Sequence, residues 1–430
     1  MARSVAKRRT VEGLAPRLVA AQRLGEVLRG ASFAPLSTAE LADSRDRALG
    51  NRLITTALRY QGPINRLIGE LLSKGLPKKA GLFEPVLRIS LGQLLFLPDL
   101  GAHSALFLAG EAMRADAKSQ HLIKLINGVL REAQRRQADV VVTAETLFPE
   151  PLLATWRAAY GDAALEGFSH ALIDGAPLDI TLKDRDPGLN GTPVLGDSVR
   201  LLERDRAVDQ LPGFASGAFW VQDAAAAIPA RLLRVAPGGN VLDLCAAPGG
   251  KTAQLIKAAY AVTALDRDPS RMARLAANLD RLGYRADLVT ADALDYAPAA
   301  PADGVLLDAP CSATGTFRRH PEVIWRRDRS ELPARVALQR RLIEKATACL
   351  KPGGVLVYCV CSLEPAEGEV QAEWALQQGL EAVPVSAAEL DGWAAPVTKE
   401  GFVRTHPGMV APGAAGGTLD GFFVARFRRR

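Results

Sequence analysis

From about residue 216 onward, apolar runs alternate with helical patterns, and five of these runs read as buried strands: Val241–Leu244, Val262–Leu265, Leu288–Thr290, Val305–Leu307 and Val355–Cys361. That rhythm belongs to an α/β sheet. An acidic residue follows the second, third and fourth runs, as Asp266, Asp292 and Asp308. Open parallel sheets bind ligands outside the carboxyl ends of their strands, so the three carboxylates point at one crevice.

After the first strand comes Asp243-Leu244-Cys245-Ala246-Ala247-Pro248-Gly249-Gly250-Lys251-Thr252. Glycines without side chains let backbone N–H groups and a helix N-terminus approach a polar ligand, which marks a bound cofactor. A phosphate-gripping loop needs glycine where Cys245 stands, and a dinucleotide fingerprint needs Gly-x-Gly-x-x-Gly, so neither phosphate motif is met. Asp266 lies 17 residues after Gly249, near the interval of roughly 20 at which an acidic side chain binds ribose hydroxyls. A nucleoside cofactor without a pyrophosphate fits, which points to S-adenosyl-L-methionine, with Asp292 on the adenine side and Asp308 at the reacting end. If these aspartates merely capped helices, Asp243 would be the best example, and the strand-by-strand series would stay unexplained.

Two thiols sit just past strands, in Asp308-Ala309-Pro310-Cys311-Ser312 and Val360-Cys361-Ser362. Beside a cofactor cleft they suggest covalent chemistry and an enzyme. All five cysteines lie beyond position 240 and form no even framework of the secreted kind, so reduced, individually employed thiols are expected. Cys311, Cys359 and Cys361 lack paired Cys-x-x-Cys spacing and a histidine motif, which argues against zinc; no metal is expected. Cys349, ahead of Lys351-Pro352-Gly353-Gly354, reads as a buried packing residue.

The first third reads as helix after helix. Leu14, Leu18, Ala21, Leu24 and Leu28 share one stripe, Leu49, Leu53, Ala57 and Tyr60 a second, and Leu122, Leu125, Val129, Leu130 and Ala133 a third. Ser37-Thr38-Ala39-Glu40 reads as a capping box opening the second helix, and Pro63, Pro85 and Pro98 punctuate later segments. An all-helical bundle is expected to about residue 140. A short helical stretch near Leu152–Tyr160 follows, then strands at 177–182 and 197–202 among Gly- and Pro-rich turns. The expected domains are therefore 1–142, helical; 143–215, a small α+β connecting subdomain; and 216–430, catalytic.

The net charge of +6 is uneven: residues 1–150 hold 22 Lys/Arg against 14 Asp/Glu, whereas 151–430 hold 31 against 33. A basic domain joined to a near-neutral one suits a polyanionic substrate, although a solvated basic face has the same composition. No apolar run approaches the roughly 18 residues that span a bilayer, and Arg17 and Arg23 interrupt any secretion-signal core. A cytoplasmic protein working as a monomer, away from membranes, is expected, with the basic start from Met1 to Thr10 opening the first domain.

Several segments together resemble a known family. Asp243–Thr252, Asp308-Ala309-Pro310-Cys311-Ser312-Ala313-Thr314-Gly315 with Arg318-Arg319-His320-Pro321-Glu322, and Tyr358-Cys359-Val360-Cys361-Ser362 with Glu364 and Glu367 are similar to the signature of RNA cytosine-5 methyltransferases of the RsmB/NOP (Sun/Fmu) type. Phe219-Trp220-Val221-Gln222-Asp223 and Asp420-Gly421-Phe422-Phe423 resemble that family's flanking motifs, so the likeness covers roughly 215–430. Asp46-Arg47-Ala48-Leu49 and Arg52-Leu53 through Leu58-Arg59-Tyr60 resemble a NusB-type RNA-binding domain, found fused to this catalytic domain in bacterial enzymes that methylate small-subunit ribosomal RNA.

The resemblance implies a Rossmann-like AdoMet-dependent methyltransferase domain behind an all-α NusB-like domain that docks 16S ribosomal RNA. Carbon 5 of cytosine is too poor a nucleophile to take a methyl from a sulfonium, so a thiolate must first add at carbon 6. By family pattern that thiolate is Cys361, Cys311 assists product release, and Asp308 meets the cytosine's N3/N4 edge. Cofactor contacts are implied for Cys245, Ala246, Ala247, Pro248, Gly249, Gly250, Lys251, Asp266, Asp292 and Asp308, and Lys251 is also implied in nucleotide placement. The chain departs from the family's usual Ala-Thr-Cys-Ser at Cys359-Val360-Cys361-Ser362, where alternate residues face one side and Cys359 competes for the nucleophile's role from deeper in the strand. His320 and His406 read as structural or RNA-facing. Arg318, Arg319, Arg326 and Arg327 read as an RNA path or a solvated cluster. A transfer-RNA methyltransferase and a non-catalytic RNA-binding adaptor with a dead methyltransferase fold remain the rival readings, the pair Cys311 and Cys361 arguing against the second.

Overall fold

The computed structural model describes residues 11–184, 187–202, 207–326, 329–413 and 416–430, so the basic start and Arg327 lie outside the described residues. Contacts gather the chain into two compact units, Met1–Ala154 with His320–Arg326, and Thr155–Arg319 with Arg327–Arg430.

The first unit is helical: α1 (Leu14–Leu28), α2 (Ser44–Arg59), α3 (Gln61–Leu71), α4 (Phe83–Phe96), α5 (Ala102–Ala115), α6 (Ile123–Arg135) and α7 (Ala144–Leu147), with the start of α8 (Glu150–Tyr160). Twelve of the fourteen residues of α4 are buried, so it forms the centre of the bundle. Two of its polar members are paired: Gln93 accepts two bonds from the Arg17 guanidinium at 3.0 and 2.9 Å, and Arg88 donates to Glu84 at 2.9 Å. Pro63 and Pro85 sit in the first turns of α3 and α4, where a missing N–H costs nothing. The Ser37 N–H and hydroxyl do bond Glu40, at 2.9 and 2.8 Å, but they close a turn. The helix starts later, at Ser44, because Asp43 offers its carboxylate to the N–H groups of Arg45 and Asp46 at 2.8 and 3.0 Å. The unit runs on to 154 beyond the boundary read at 142, since α7 packs on α3.

The second unit holds α9 (Asp162–Asp174) and two sheets. β1 (Leu178–Leu182), β2 (Gly191–Leu195), β3 (Ser198–Leu201) and β4 (Phe219–Val221) form an antiparallel sheet in the order β2-β3-β1-β4. Strand β4 pairs with β1 from Ile180↔Val221 to Leu182↔Phe219, which carries this sheet past the boundary read at 215. The larger sheet follows through α10 (Ile228–Leu232), β5 (Asn240–Leu244), α11 (Gly250–Lys257), β6 (Ala261–Asp266), α12 (Pro269–Leu282), β7 (Asp287–Thr290) and β8 (Ala302–Asp308). Beyond α13 (Val323–Arg326), which groups with the first unit, come α14 (Leu332–Cys349), β9 (Leu350–Val360), α15 (Glu369–Gln377), β10 (Glu381–Ala382), β11 (Val403–Thr405) and β12 (Phe422–Arg428).

Its order is β10-β12-β9-β8-β5-β6-β7, with β11 against β12. Strands β9, β8, β5, β6 and β7 run parallel, while β12 lies antiparallel to β9 from Phe423↔Val360 to Arg428↔Val355. The five strands read from the sequence are β5 to β9, and β9 ends at Val360, leaving Cys361 just beyond it. After β7 the chain returns across β5 to form β8, so the winding reverses between β5 and β8, the position at which such folds bind ligands. Among the described residues no helix is long and apolar enough to cross a membrane.

Candidate active site

The carboxyl ends of β5, β8 and β9 open into a cleft of about 490 Å³ lined by Ala246 to Lys251, Asp308 and Cys361, with Trp220, Gln222, Arg319 and Phe422 around them. Cys245 leaves β5 in the left-handed region at φ +64. Gly249 follows at φ +101, where an added Cβ would meet Leu275 Cγ at 2.9 Å, so this turn demands glycine. The chain then enters α11 with its N-terminus at the cleft. Asp243, beneath the loop, is fully buried and takes the Thr252 hydroxyl at 2.6 Å; it accepts a side chain rather than capping the helix backbone, and burial lifts its carboxyl to about 7.

The three strand-end carboxylates differ in what they do. Asp308 faces the cleft and accepts the Lys251 ammonium at 2.8 Å. Burial opposes the charge on Lys251, but Asp308 beside it holds the ammonium well above its usual range. Asp266 is 2% exposed, held by the N–H groups of Ala247 (3.3 Å) and Asp268 (3.0 Å), with the Arg271 guanidinium 3.0 Å away. Asp292 is half-buried and accepts the Leu294 N–H at 2.9 Å. Asp266, Asp292 and Cys245 are not among the residues lining the cleft. The lining set of a glycine turn, a helix N-terminus, apolar rings from Trp220 and Phe422, and charged Lys251 and Asp308 fits a nucleoside carrying an amino-acid tail, as S-adenosyl-L-methionine does.

Cys311 and Cys361 come together, their sulfurs 3.5 Å apart. That hydrogen bond, with burial, pushes the Cys311 thiol well up. Cys359 is fully buried and donates to Asp308 at 3.5 Å, and burial raises its thiol well above the usual range. Burial likewise takes Cys245 up to about 12. Cys349 packs in the core below the sheet. Among the described residues no group of His, Cys, Asp and Glu is placed to hold a metal ion.

Arg318, read as an RNA-path or surface residue, is neither. Its side chain is 0% exposed and pairs with Asp223 at 2.5 Å and Asp420 at 2.8 Å, tying the segments around 223, 318 and 420 together. Breaking such a pair strands buried charge, so Arg318→Ala is expected to cost about 3–5 kcal/mol of stability, checked by denaturant unfolding; a loss within 1 kcal/mol of zero would remove its structural role. Its neighbour Arg319 also pairs with Asp420 but reaches the cleft. Arg326 donates to Ala31 O at 3.0 Å within the first unit. His320 lies 3.6 Å from buried Glu322, and His406 packs between Tyr160 and Phe168, where burial lowers its imidazole to about 4. Arg271 and Arg281, also in the lining, escaped the sequence reading because a helix-borne arginine carries no local sign of the cleft it faces.

Comparisons with known proteins agree with this geometry. Residues 230–428 match the family described as 16S rRNA methyltransferase RsmB/F, and residues 14–135 match the NusB family. The chain is 36% identical to a ribosomal RNA small subunit methyltransferase B of Xylella fastidiosa, over 96% of this chain and 98% of that protein. The protein of that name from Pseudomonas putida is 34% identical over the same shares. Among solved structures, a methyltransferase homolog protein from Pyrococcus horikoshii is 26% identical with a TM-score of 0.55, covering 66% of this chain and 96% of that one.

Proposed function

Because the chain belongs to the family of RsmB/F methyltransferases, we propose that it transfers a methyl group from S-adenosyl-L-methionine to carbon 5 of a cytidine in small-subunit (16S) ribosomal RNA through a covalent cysteine adduct. The observation that carries this reading is the pair Cys311 and Cys361, 3.5 Å apart, with Cys361 in the same cleft as the glycine turn and Asp308. The relatives' name, ribosomal RNA small subunit methyltransferase B, supports the substrate class, and the NusB match supports RNA docking by residues 14–135.

The cofactor supplies an electrophilic methyl on a sulfonium. The Cys361 thiolate adds to carbon 6 and makes carbon 5 nucleophilic. Asp308, steadied by Lys251 at 2.8 Å, meets the cytosine's N3/N4 edge. Release then requires the carbon-5 proton to leave and the bond from Cys361 to carbon 6 to break. Cys311 stands beside that bond to take up the proton. Its thiol is raised by the hydrogen bond to Cys361 and by burial; with that bond lost on adduct formation, Cys311 passes its own proton to water before it takes up the carbon-5 proton, and Cys361 leaves as a thiolate.

Incubation with methyl-labelled S-adenosyl-L-methionine and unmodified small-subunit ribosomal RNA, followed by digestion, is expected to yield labelled 5-methylcytidine. Label only in transfer RNA would replace the substrate, and a different labelled nucleoside would overturn the carbon-5 assignment. Asp266 accepts the N–H of Ala247 in the glycine turn at 3.3 Å, so Asp266→Ala is expected to loosen that turn and weaken cofactor binding about tenfold or more without changing RNA affinity. Titration calorimetry of each ligand checks this, and unchanged cofactor affinity removes Asp266 from the site.

A further inference from the structure

Glu367 is fully buried. Its carboxylate accepts the Ser312 N–H at 3.0 and 3.2 Å, the Ser312 hydroxyl at 2.5 Å, the Ser362 hydroxyl at 2.6 Å and the Gln339 amide at 3.0 Å. Ser312 follows Cys311, and Ser362 follows Cys361, so one carboxylate grips the residue next to each thiol. The same two loops are tied again where Thr314 Oγ1 accepts the Leu363 N–H at 3.0 Å. Behind it, the Gln339 amide on α14 also donates to Pro310 O at 2.9 Å, and the Tyr358 hydroxyl on β9 donates to the backbone Glu367 O at 2.6 Å, holding that residue's main chain. A buried carboxylate is expensive unless fully hydrogen-bonded, and packing alone would need none here. The carboxylate sits where it joins the two loops that carry the thiols.

We propose that Glu367 is a positioning residue that sets the separation of Cys311 and Cys361 by clamping Ser312 and Ser362. Its consequence for turnover rests on the covalent reading above, but the geometry it asserts is measurable without RNA or cofactor. The ruler is thiol–disulfide exchange with an aromatic disulfide. One cysteine displaces an aromatic thiol and forms a mixed disulfide; the second attacks that sulfur, expels the other aromatic thiol and closes the Cys311–Cys361 disulfide, each step passing a proton to water. Peptide mass spectrometry of the full chain identifies the pair.

In Glu367→Gln, closure of the disulfide is expected to slow about tenfold while formation of the mixed disulfide is little changed, and kcat to fall about a hundredfold with KM for RNA unmoved. Ser362→Ala removes one arm with little change of volume, and is expected to slow closure in the same direction if Glu367→Gln fails to fold. Closure at the wild-type rate in a folded Glu367→Gln or Ser362→Ala protein overturns the proposal. Slow closure in the variants of an enzyme that makes no 5-methylcytidine would leave the clamp standing and strike the covalent reading instead.

Discussion

Cys361→Ala is expected to lose turnover by about 10⁴-fold or more while binding S-adenosyl-L-methionine with unchanged affinity. The glycine turn and α11 hold their shape through contacts that do not involve Cys361, such as the bond from Ala246 N to Leu265 O at 2.9 Å, so cofactor binding should survive. Neither Cys359 nor Cys245 is placed to take over the role proposed for Cys361. Cys359 is sealed within β9 and donates to Asp308, and burial pushes the Cys245 thiol up to about 12 at the end of β5, outside the cleft lining. Methyl transfer from labelled cofactor, with cofactor affinity measured beside it, makes the check. Turnover surviving in Cys361→Ala would move the nucleophile elsewhere, and its loss in the double variant with Cys359 would identify Cys359.

Cys311→Ala is expected to do the opposite to the RNA: methylation proceeds once, and a protein–RNA adduct that survives denaturation accumulates. The substitution leaves the sulfur of Cys361 in the cleft, so attack on carbon 6 is expected to survive. In the proposed mechanism the lost group is the one that takes up the carbon-5 proton, so elimination is expected to slow by about 10²–10⁴-fold. Denaturing electrophoresis against labelled RNA reads the adduct directly. A Cys311→Ala enzyme that turns over normally without adduct would take Cys311 out of release. Adduct in the doubly substituted Cys311→Ala, Cys361→Ala protein would show that another residue forms it.

Much of the catalytic unit is legible in the chain because parallel strands leave a local trace. Val241–Leu244 and Val305–Leu307 are short apolar runs, and the sheet's winding delivers the residues after them to one end, which is how Lys251 and Asp308 come to lie 2.8 Å apart from positions 57 residues distant. Side-chain partnerships have no such trace. Arg318 sits among basic residues and looks like surface, yet Asp223 and Asp420 neutralise it inside the protein. Glu367 looks like one acidic residue among several near Cys361, and only the fold brings Ser312 to it. Ser37 and Glu40 show the reverse failure: the Glu40 carboxylate does reach back to the Ser37 N–H, but the Glu40 N–H turns to the Ser37 carbonyl, and the helix begins four residues beyond. Strand β12 passed unread because Phe422–Arg428 lacks a helix before it and joins the sheet antiparallel.

That late strand also bears on how the protein is made. β12 lies between β9 and β10, and Gly421, just before it, meets Gly315 so closely that a Cβ on Gly315 would stand 2.0 Å from the Gly421 carbonyl oxygen. Arg318 and Asp420 are 102 residues apart. Long loops must therefore close before the cleft wall at Phe422 exists, and non-local pairing of this kind is slow. In the interval a nascent chain carries β9 as an open, strongly apolar edge, the kind of surface on which chains aggregate. Phe422 enters the cleft lining on the strand that pairs with β9, so the pairing that covers this edge also completes that wall of the cleft.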